Sequence, residues 1–393
     1  MKKLFPLAIA ALSLAACAGG DPITQATVAP DGAGAPAYVV GNGDVIPGRF
    51  IVTLRDGASP AAVAREHGVA PDYVYSTVLN GFAGSISDAA RAGLLRDARV
   101  ARVEQDGVAY ASTTQSGATW GLDRIDQRAL PLSTTYTYTA TASNVYAYII
   151  DTGIRFSHSE FGGRATSGYD AVDGGSADDC NGHGTHVAGT VGGATYGVAK
   201  GVNLVAVRVL DCAGSGSWSG VIAGMDWVAQ NHRSPAVANM SLGGGANTSV
   251  DDAARRMIAS GVATGIAAGN GNQGGREQDA CKYSPARVAE AMTIGATTQS
   301  DVKTSWSNYG NCVDWFAPGY QITSSWYTSD VATNTISGTS MATPHTVGVA
   351  ALYLAGNPSA TPQQVRDALY AATTKGIVTS SKTANNHLLF TNY

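Results

Sequence analysis

The sequence predicts an α/β protein in which a small α+β domain precedes a doubly wound, mostly parallel sheet. The main evidence is that short apolar runs alternate with helical stretches from Trp120 onward. Continuous apolar strands of this kind are typical of parallel sheets covered by helices on both faces. The 393 residues include 48 glycines and only 14% charged residues, a composition typical of a compact, loop-rich protein with a large core.

The charge and hydropathy of the chain argue against two classes of partner. The formal net charge is −4, which gives no reason to expect nucleic acid or an anionic membrane surface as a binding partner. No apolar run after the N-terminus reaches the ~18 residues that a membrane-spanning helix needs. We therefore expect no nucleic-acid binding and no membrane span in the mature protein.

Residues 1–18 resemble a secretory signal peptide, so we expect the protein to be secreted. Two lysines precede the apolar run Leu4–Ala16, as in signal peptides generally. Two processing routes remain open. The stretch from Leu14 to Cys17 is similar to a bacterial lipobox, which would anchor the precursor through a lipid on Cys17, but the small residues also permit ordinary cleavage after Ala18.

The remaining four cysteines are Cys180, Cys212, Cys281 and Cys312. An even number of cysteines in an exported protein favours disulfides over metal ligation, and no CxxC pair is present. The sequence alone permits three different pairings.

A small α+β domain is predicted after a linker. Residues 19–47 are rich in Gly, Pro, Ala and Asp without an apolar period, which predicts a flexible linker with regular structure beginning at Arg49. The order strand–helix–strand–strand–helix–strand in about 60 residues is that of a ferredoxin-like domain. The predicted elements are the strand Phe50–Leu54, the helix Ser59–His67, the strands Tyr73–Leu79 and Gly81–Ile86 around an Asn80-Gly81 hairpin turn, the helix from Ser87 or Asp88 to Asp97, and the strand Val100–Val103.

The main domain contains five predicted strands, separated by helices. The strands are Val145–Ile150, Leu204–Leu210, Val237–Met240, Val262–Ala267 and Met292–Ala296. The helices are Thr185–Gly192, Ser219–Gln230, Ser249–Ser260 and a buried apolar helix that starts near Ser340 and includes Val347–Leu354. In such folds the functional residues gather at the carboxyl ends of the strands.

Three polar residues stand at element ends and predict a catalytic triad. Asp151 follows a strand, His183 enters a helix, and Ser340 lies near a helix N-terminus. A serine becomes a nucleophile when a histidine takes its proton and a buried carboxylate holds the second nitrogen of that histidine. The unpaired N–H groups of the helix start suit an oxyanion beside Ser340.

Each of these residues also has a simpler interpretation. Asp151 and Ser340 could be capping residues. His183 and His186 have an i,i+3 spacing that could hold a metal and would make the protein a metallohydrolase. No Glu stands between them, however, as it does in the zinc proteases.

Three motifs resemble the active-site signatures of the subtilisin family of serine proteases. They are Asp151-Thr152-Gly153, His183-Gly184-Thr185-His186 and Gly338-Thr339-Ser340-Met341-Ala342, in the order of that family. The segments Trp120–Arg128 and Pro235–Gly245 are similar to the proteinase K branch, closest to aqualysin. The resemblance implies an inhibitor-type propeptide over residues 48–112 and a subtilisin-like catalytic domain over residues 113–393.

The resemblance has one departure beside the serine. Thr346 and Val347 stand where relatives usually have Val and Ala. Both lie in the apolar helix that follows Ser340, so we expect this difference to affect helix packing more than chemistry.

The resemblance implies roles for residues around the triad. Asn270 matches the side-chain donor of the oxyanion hole, with the Ser340 N–H as the second donor, and Trp218 matches the wall of an apolar subsite. Substrate would pair through its backbone with two strand-like edges, which are formed by Gly214, Ser215 and Gly216 and by Ser241, Leu242 and Gly243.

Disulfides and calcium are implied in the same way. Cys180 would pair with Cys212, and Cys281 with Cys312. One calcium site would consist of the carbonyls of Ala289 and Ala291 with Asp314, and another of Asp123, Asp126, Gln127, Ser133 and Thr135. These are oxygen ligands, as calcium prefers. No organic cofactor is implied.

The expected function is that of a secreted, calcium-stabilised serine endopeptidase that hydrolyses protein and peptide substrates through an acyl-enzyme. The resemblance implies a zymogen that cuts itself near Thr113, with its own propeptide as a transient inhibitor. The mature enzyme would be monomeric and free of the membrane. The alternative is a binding module, either an inactive protease or a secreted inhibitor, against which the presence of the triad and Asn270 argues.

Overall fold

The computed structural model describes residues 35–39, 45–107 and 113–393. The chain forms two compact units, residues 1–109 and 110–393. The predicted signal peptide with Cys17 lies outside the described residues, as does the expected end of the propeptide at residues 108–112. Within the described ranges, no helix is both long and apolar enough to cross a membrane.

The first unit is a five-stranded sheet with two helices. Its elements are β1 (Ala37–Val39), β2 (Val45–Leu54), α1 (Pro60–Glu66), β3 (Tyr73–Tyr75), β4 (Gly81–Ser85), α2 (Asp88–Leu94) and β5 (Val100–Gly107). The strand order is β1-β5-β2-β4-β3, with only β1 and β5 parallel. Val52, Val63 and Leu94 meet in its core, and the predicted α+β order from β2 to β5 is confirmed.

Two details of that prediction are wrong. Part of the expected linker 19–47 is strand, because β1 lies within it and β2 begins at Val45. The pairing of β2 with β5 is irregular around Gly48 (φ 73°), and beyond this irregularity Val45 still pairs with Gly107. The hairpin after β3 is also longer than the predicted Asn80-Gly81 turn, since β3 ends at Tyr75. The Asn80 side chain donates to the carbonyls of Arg55 and Ala58 instead, which ties the five-residue connection to the rest of the unit.

The second unit contains the larger sheet. Its strands are β6 (Thr113–Ser116), β7 (Thr135–Tyr138), β8 (Tyr146–Asp151), β9 (Ala165–Asp170), β10 (Asn203–Arg208), β11 (Ala236–Met240), β12 (Gly244–Gly245), β13 (Val262–Ala267), β14 (Tyr283–Ser284), β15 (Met292–Thr297), β16 (Trp315–Pro318), β17 (Ile322–Ser325) and β18 (Thr333–Ile336). Its helices are α3 (Trp120–Ile125), α4 (His183–Gly192), α5 (Trp218–Asn231), α6 (Thr248–Ala259), α7 (Thr339–Gly356) and α8 (Pro362–Ala372).

Seven strands form one fully parallel sheet in the order β16-β15-β13-β11-β8-β10-β9. The five predicted strands are its central members. The edge strands β9 and β16 were not predicted, because β9 carries polar residues such as Thr166 and β16 has only four residues. Order and direction of the strands confirm the doubly wound α/β prediction.

Helices cover both faces of this sheet. Ala147 and Ile149 of β8 belong to the core shared with α4 and α7, whereas Tyr148 and Ile150 belong to the core shared with α5 and α6. This alternation follows from the period of two in a strand. Asp151 ends β8 at the carboxyl edge of the sheet.

Two disulfides are present, with the pairings that the resemblance implies. Cys180 is bonded to Cys212 and Cys281 to Cys312. The first joins the loop before α4 to the loop after β10, and both loops lie at the carboxyl edge of the sheet. The predicted site residues gather at the same edge.

Candidate active site

Asp151 and His183 are joined by a short hydrogen bond. His183 Nδ1 donates to Asp151 Oδ1 at 2.7 Å, and the Thr152 N–H donates to the same oxygen at 2.8 Å. Asp151 is completely buried, while 26% of the His183 side chain is exposed. The carboxylate therefore fixes the tautomer of the ring and leaves Nε2 free to act as a base.

Two opposing effects set the pKa of His183. Burial lowers it, but the negative charge and hydrogen bond of Asp151, together with the charge of Asp179, outweigh burial and raise the pKa above its ordinary value. A raised pKa strengthens the imidazole as a proton acceptor.

Asp179 is a residue of this site that the sequence analysis missed. It accepts hydrogen bonds from the hydroxyls of Thr152 (2.9 Å) and Thr185 (2.6 Å). It also accepts from the backbone N–H groups of Asn181, Gly182 and Thr185, each at 2.9 Å. The only sequence signal for it is a carboxylate four residues before the histidine. Asp179 thus holds the Thr152 side chain, next to Asp151, and the backbone on both sides of His183.

Ser340 is the second residue of α7 and is held by a small buried network. Ser241 Oγ donates to the Ser340 carbonyl at 2.9 Å, and Asn239 Nδ2 donates to Ser241 Oγ at 2.8 Å. Ser340 Oγ donates to the Ser241 carbonyl at 3.1 Å. Among the described residues no hydrogen bond joins Ser340 to His183. Catalytic hydrogen bonds often form only when substrate is bound.

Asn270 and the Ser340 N–H border the same small space. Asn270 Oδ1 accepts from the Thr339 N–H at 2.8 Å and from Thr339 Oγ1 at 2.9 Å, which turns Nδ2 away from Thr339. A Cβ built on Gly338 would lie 3.5 Å from both Asn270 Nδ2 and the Ser340 nitrogen. The two predicted oxyanion donors are thus close together at the start of α7.

Two adjoining pockets surround these residues. The larger, of about 600 Å³, is lined by His183 and by all the predicted substrate-binding residues, Gly214, Ser215, Gly216, Trp218, Ser241, Leu242 and Gly243. The smaller, of about 320 Å³, is lined by Ser340 and Asn270, and no residue of its described lining is charged. Ser241, Leu242 and Gly243 line both, so one groove leads past Ser340 into a neutral pocket.

Three of the predicted calcium ligands, Asp123, Ser133 and Thr135, are joined by hydrogen bonds, whereas the Gln127 side chain donates to the carbonyls of Ala129 and Pro131. The buried Asp123 carboxylate accepts from Ser133 and from the Thr134 N–H, and Ser133 Oγ lies 2.7 Å from Thr135 Oγ1. Asp126 Oδ1 is buried and has no hydrogen-bond partner. Burial, and then the charge of Asp123, raise the pKa of Asp126 to about 6. A divalent cation would relieve both effects.

The predicted site at Asp314 fits a cation poorly. The buried carboxylate already accepts the Thr293 N–H at 2.7 Å and pairs with the Arg366 guanidinium. Arg366 thereby supplies to the Asp314 carboxylate the positive charge that a metal would otherwise bring to it. Burial nevertheless raises the pKa of Asp314.

His186 does not share a ligand position with His183. Its Nε2 donates to the carbonyl oxygens of Ile322 (3.0 Å) and Asn334 (3.2 Å). Burial lowers its pKa to about 3, so the ring is neutral. Within the described part of the chain, no three His, Cys, Asp or Glu side chains form a group that could hold a metal ion. The two histidines therefore have different partners, since His183 bonds Asp151 and His186 bonds backbone carbonyls.

Comparisons with known proteins agree with the geometry. Residues 142–390 match the subtilase family, and residues 49–112 match the peptidase inhibitor I9 family. An extracellular serine proteinase of Thermus sp. (strain Rt41A) is 52% identical over 413 aligned positions, which cover 98% of each chain. Alkaline serine exoprotease A of Vibrio alginolyticus is 53% identical over 324 positions. This match covers 81% of this chain and 59% of the Vibrio protein.

A solved structure gives the same result for the fold. The crystal structure of a cold adapted subtilisin-like serine proteinase is 56% identical to this chain, with a TM-score of 0.68. The match covers 71% of this chain and 100% of the solved one. The chain belongs to the subtilase family, and it is a serine protease with an inhibitor-type propeptide domain.

Proposed function

We propose that this protein is a secreted serine endopeptidase that is stabilised by calcium and made as a self-processing zymogen. The observation that carries the proposal is the 2.7 Å hydrogen bond from His183 to the buried Asp151, at a groove that continues to Ser340. A positioned base beside a serine at a helix N-terminus is what acyl transfer requires.

In the proposed mechanism, Ser340 Oγ attacks the peptide carbonyl carbon while His183 Nε2 accepts its proton. The hydroxyl must first turn from the Ser241 carbonyl toward His183. Asp151 stabilises the imidazolium that forms. His183 then donates the proton to the leaving amine. Water, activated by the same histidine, releases the acyl group from Ser340.

The oxyanion of each tetrahedral intermediate would lie between Asn270 Nδ2 and the Ser340 N–H. Both donors are fixed before substrate arrives, Asn270 by Thr339 and Ser340 by its place in α7. The positive end of the α7 dipole adds to this stabilisation. Loss of one such donor typically costs about a hundredfold or more in kcat.

The groove suits an extended peptide with a neutral side chain at the cleaved residue. Backbone pairing with Gly214–Gly216 on one side and Ser241–Gly243 on the other is tolerant of sequence. The uncharged 320 Å³ pocket beside Ser340 favours apolar or aromatic side chains over charged ones. Trp218 would form the wall of a second apolar subsite.

Calcium would be held by Asp123, Asp126, Gln127, Ser133 and Thr135. The unpartnered Asp126 Oδ1 supports this assignment, because a buried carboxylate oxygen without a donor is costly. Bound calcium would tie the residues after α3 to the start of β7 and so stabilise the fold, with no part in the proton transfers.

Maturation would remove the propeptide, residues 48–112, by a cut before Thr113. Before its release the propeptide would act as a transient inhibitor. If Cys17 is acylated, the lipid stands on the segment that is removed, so the mature protease, which we propose to be monomeric, leaves the membrane.

The proposal is tested by expressing wild-type protein and Ser340→Ala side by side and measuring intact masses. We expect a mature species that begins near Thr113 for the wild type, and an uncut precursor for the variant. Processing of Ser340→Ala at the same bond, in a host without other proteases, would show that the cut is not autocatalytic. A wild type that cleaves no peptide would favour the binding-module alternative.

A further inference from the structure

A buried asparagine, Asn308, supports the loop that carries Asn270. Asn308 is only 1% exposed and lies between β15 and β16. Its amide group and its backbone N–H make four hydrogen bonds, all to the backbone of residues 268–278. None of the motifs that identify the triad contains it.

These bonds reach both sides of Asn270. On the preceding side, Asn308 Nδ2 donates to the Ala268 carbonyl at 2.8 Å, and its backbone N–H donates to the Gly269 carbonyl at 2.9 Å. On the following side, Asn308 Oδ1 accepts from the Gly271 N–H at 3.1 Å. The Asn308 side chain therefore bonds the backbone on both sides of Asn270, the proposed oxyanion donor.

The backbone around Asn270 needs such support. Gly269 and Gly271 have φ angles of 101° and 80°. Glycine adopts such positive φ angles without steric strain, but it also populates many other backbone conformations. The packing is close as well, since a Cβ on Gly269 would lie 2.5 Å from Asn308 Nδ2. Without outside contacts, an asparagine between two glycines would have no fixed position.

Asn308 and Thr339 divide the support of Asn270 between them. Thr339 holds the side-chain oxygen of Asn270, whereas Asn308 holds the backbone on either side. Asn308 Oδ1 also accepts from the Gln278 N–H at 2.8 Å, so both ends of the loop 272–277 are tied to one oxygen. An oxyanion donor is effective only when its position is fixed in advance.

We propose that Asn308 is a positioning residue that sets the place of Asn270 in the oxyanion hole. The inference rests on the proposed function, because it concerns a donor of that reaction. Asn308 makes no hydrogen bond to Asp151, His183 or Ser340, although it also lines the 320 Å³ pocket beside Ser340. Its effect on the transition state runs through Asn270, so it should disappear without the Asn270 side chain, whereas an effect on the pocket or on stability would remain.

A double-mutant cycle tests this separation. kcat and KM are measured with a peptide anilide for mature wild type, Asn308→Ala, Asn270→Ala and the double variant. We expect Asn308→Ala to lower kcat by roughly tenfold to a hundredfold, because a misplacement of about 1 Å has that cost, with KM changed by less than about twofold. In the Asn270→Ala background the same substitution should cost less than about twofold.

Two further variants keep the test decisive. Asn203→Ala removes two comparable side-chain bonds, to the carbonyls of Ser143 and Val145, at the start of β10. It should lower the unfolding temperature and leave kcat unchanged. Asn308→Ser retains a hydroxyl acceptor and a folded loop, and it should show a smaller kcat loss with the same dependence on Asn270.

Equal kcat losses for Asn308→Ala with and without the Asn270 side chain would overturn the inference, as would an unchanged kcat. A wild type without peptidase activity would instead refute the proposed function itself. The two failures are therefore distinct.

Discussion

His183 is flanked by two carboxylates that act on it in different ways. Asp151 accepts its Nδ1 hydrogen bond, whereas Asp179 bonds the surrounding backbone without touching the ring. Burial lowers the pKa of His183, and the negative charges outweigh it. In the proposed mechanism His183 must be neutral to accept the proton of Ser340, so this pKa would set the acidic limit of activity.

Replacing Asp179 by Asn should therefore lower the pKa of His183. The acidic limb of the profile of kcat/KM against pH would move to lower pH, because the neutral imidazole persists further into acid. Asp178→Asn is the matched control, since Asp178 is an exposed neighbour that bonds only Ser176 among the described residues. A profile that moves equally for both variants would show that Asp179 has no special role.

Gly338 offers a test of the oxyanion hole. Its φ of 171° is open to any residue, and a Cβ there would meet Asn270 Nδ2 and the Ser340 nitrogen at an ordinary contact distance of 3.5 Å. Gly338→Ala should leave the unfolding temperature nearly unchanged and lower kcat by roughly ten- to a hundredfold, because the methyl crowds the oxyanion. Steady-state kinetics and thermal unfolding of the same sample check this, and an unchanged kcat would place the oxyanion elsewhere.

The triad could be predicted at this scale because each member stands beside a short, characteristic motif. Asp179 and Asn308 could not. Asp179 depends in part on Thr152, which lies on another loop, and Asn308 depends on the backbone of residues 268–278. No short motif records such contacts between distant parts of the chain. At Asp314 the family resemblance predicted a calcium ligand, but the sequence did not show that Arg366 pairs with that carboxylate.

At the scale of elements, α7 connects the nucleophile to the core. Its apolar run predicted burial, and every residue from Thr339 to Leu354 except Tyr353 is buried. Ser340 lies at the start of this helix and lines the smaller pocket. Thr346, the departure from the family pattern, accepts a hydrogen bond from Trp315 Nε1 at 3.1 Å. Trp315 is fully buried in β16, so the hydroxyl satisfies an indole donor that has no access to water.

Thr346→Val should accordingly destabilise the protein without affecting catalysis. The variant keeps the shape of the side chain and leaves the indole N–H unpaired, at a cost of about 1–3 kcal/mol in the free energy of unfolding. Denaturant unfolding measures the cost, and kcat/KM should stay within about twofold of wild type. A large loss of activity with unchanged stability would mean that the departure touches the chemistry after all.

The central strands could be predicted because a buried parallel strand is apolar throughout, whereas β9 and β16 at the edges lack such a signal in polarity or length. In the first unit the helix starts predicted at Ser59 and at Ser87 or Asp88 agree with the structure, in which the Ser59 and Ser87 hydroxyls each accept a backbone N–H. A strand of three residues such as β1 depends on its partner strand, β5, and leaves no apolar period in the sequence, so the linker prediction failed there.

For the molecule as a whole, the two calcium sites predicted from the sequence differ in how far the protein's own groups already pair their carboxylates. Asp126 keeps a buried carboxylate oxygen without a partner, whereas Asp314 pairs with Arg366. Ligand binding to the native state stabilises it by mass action. Calcium should therefore act on stability chiefly through the Asp123 and Asp126 site.

Calcium removal tests this difference. A chelator should lower the unfolding temperature of the Ser340→Ala protein, in which self-digestion is absent. Adding Asp126→Asn should abolish most of that response, because it removes a charged ligand. Asp314→Asn is the matched control and should retain it. A response lost with Asp314→Asn and kept with Asp126→Asn would reverse the assignment.

The central claim is that Ser340 is a nucleophile activated by His183 and Asp151. The most direct measurement is the rate at which a serine-directed fluorophosphonate labels the mature protein, with the site located by peptide mass spectrometry. We predict one label per molecule, on Ser340, and labelling slowed by orders of magnitude in His183→Ala from which an added protease has removed the propeptide. No label on Ser340, or labelling at an unchanged rate without His183, would contradict the account.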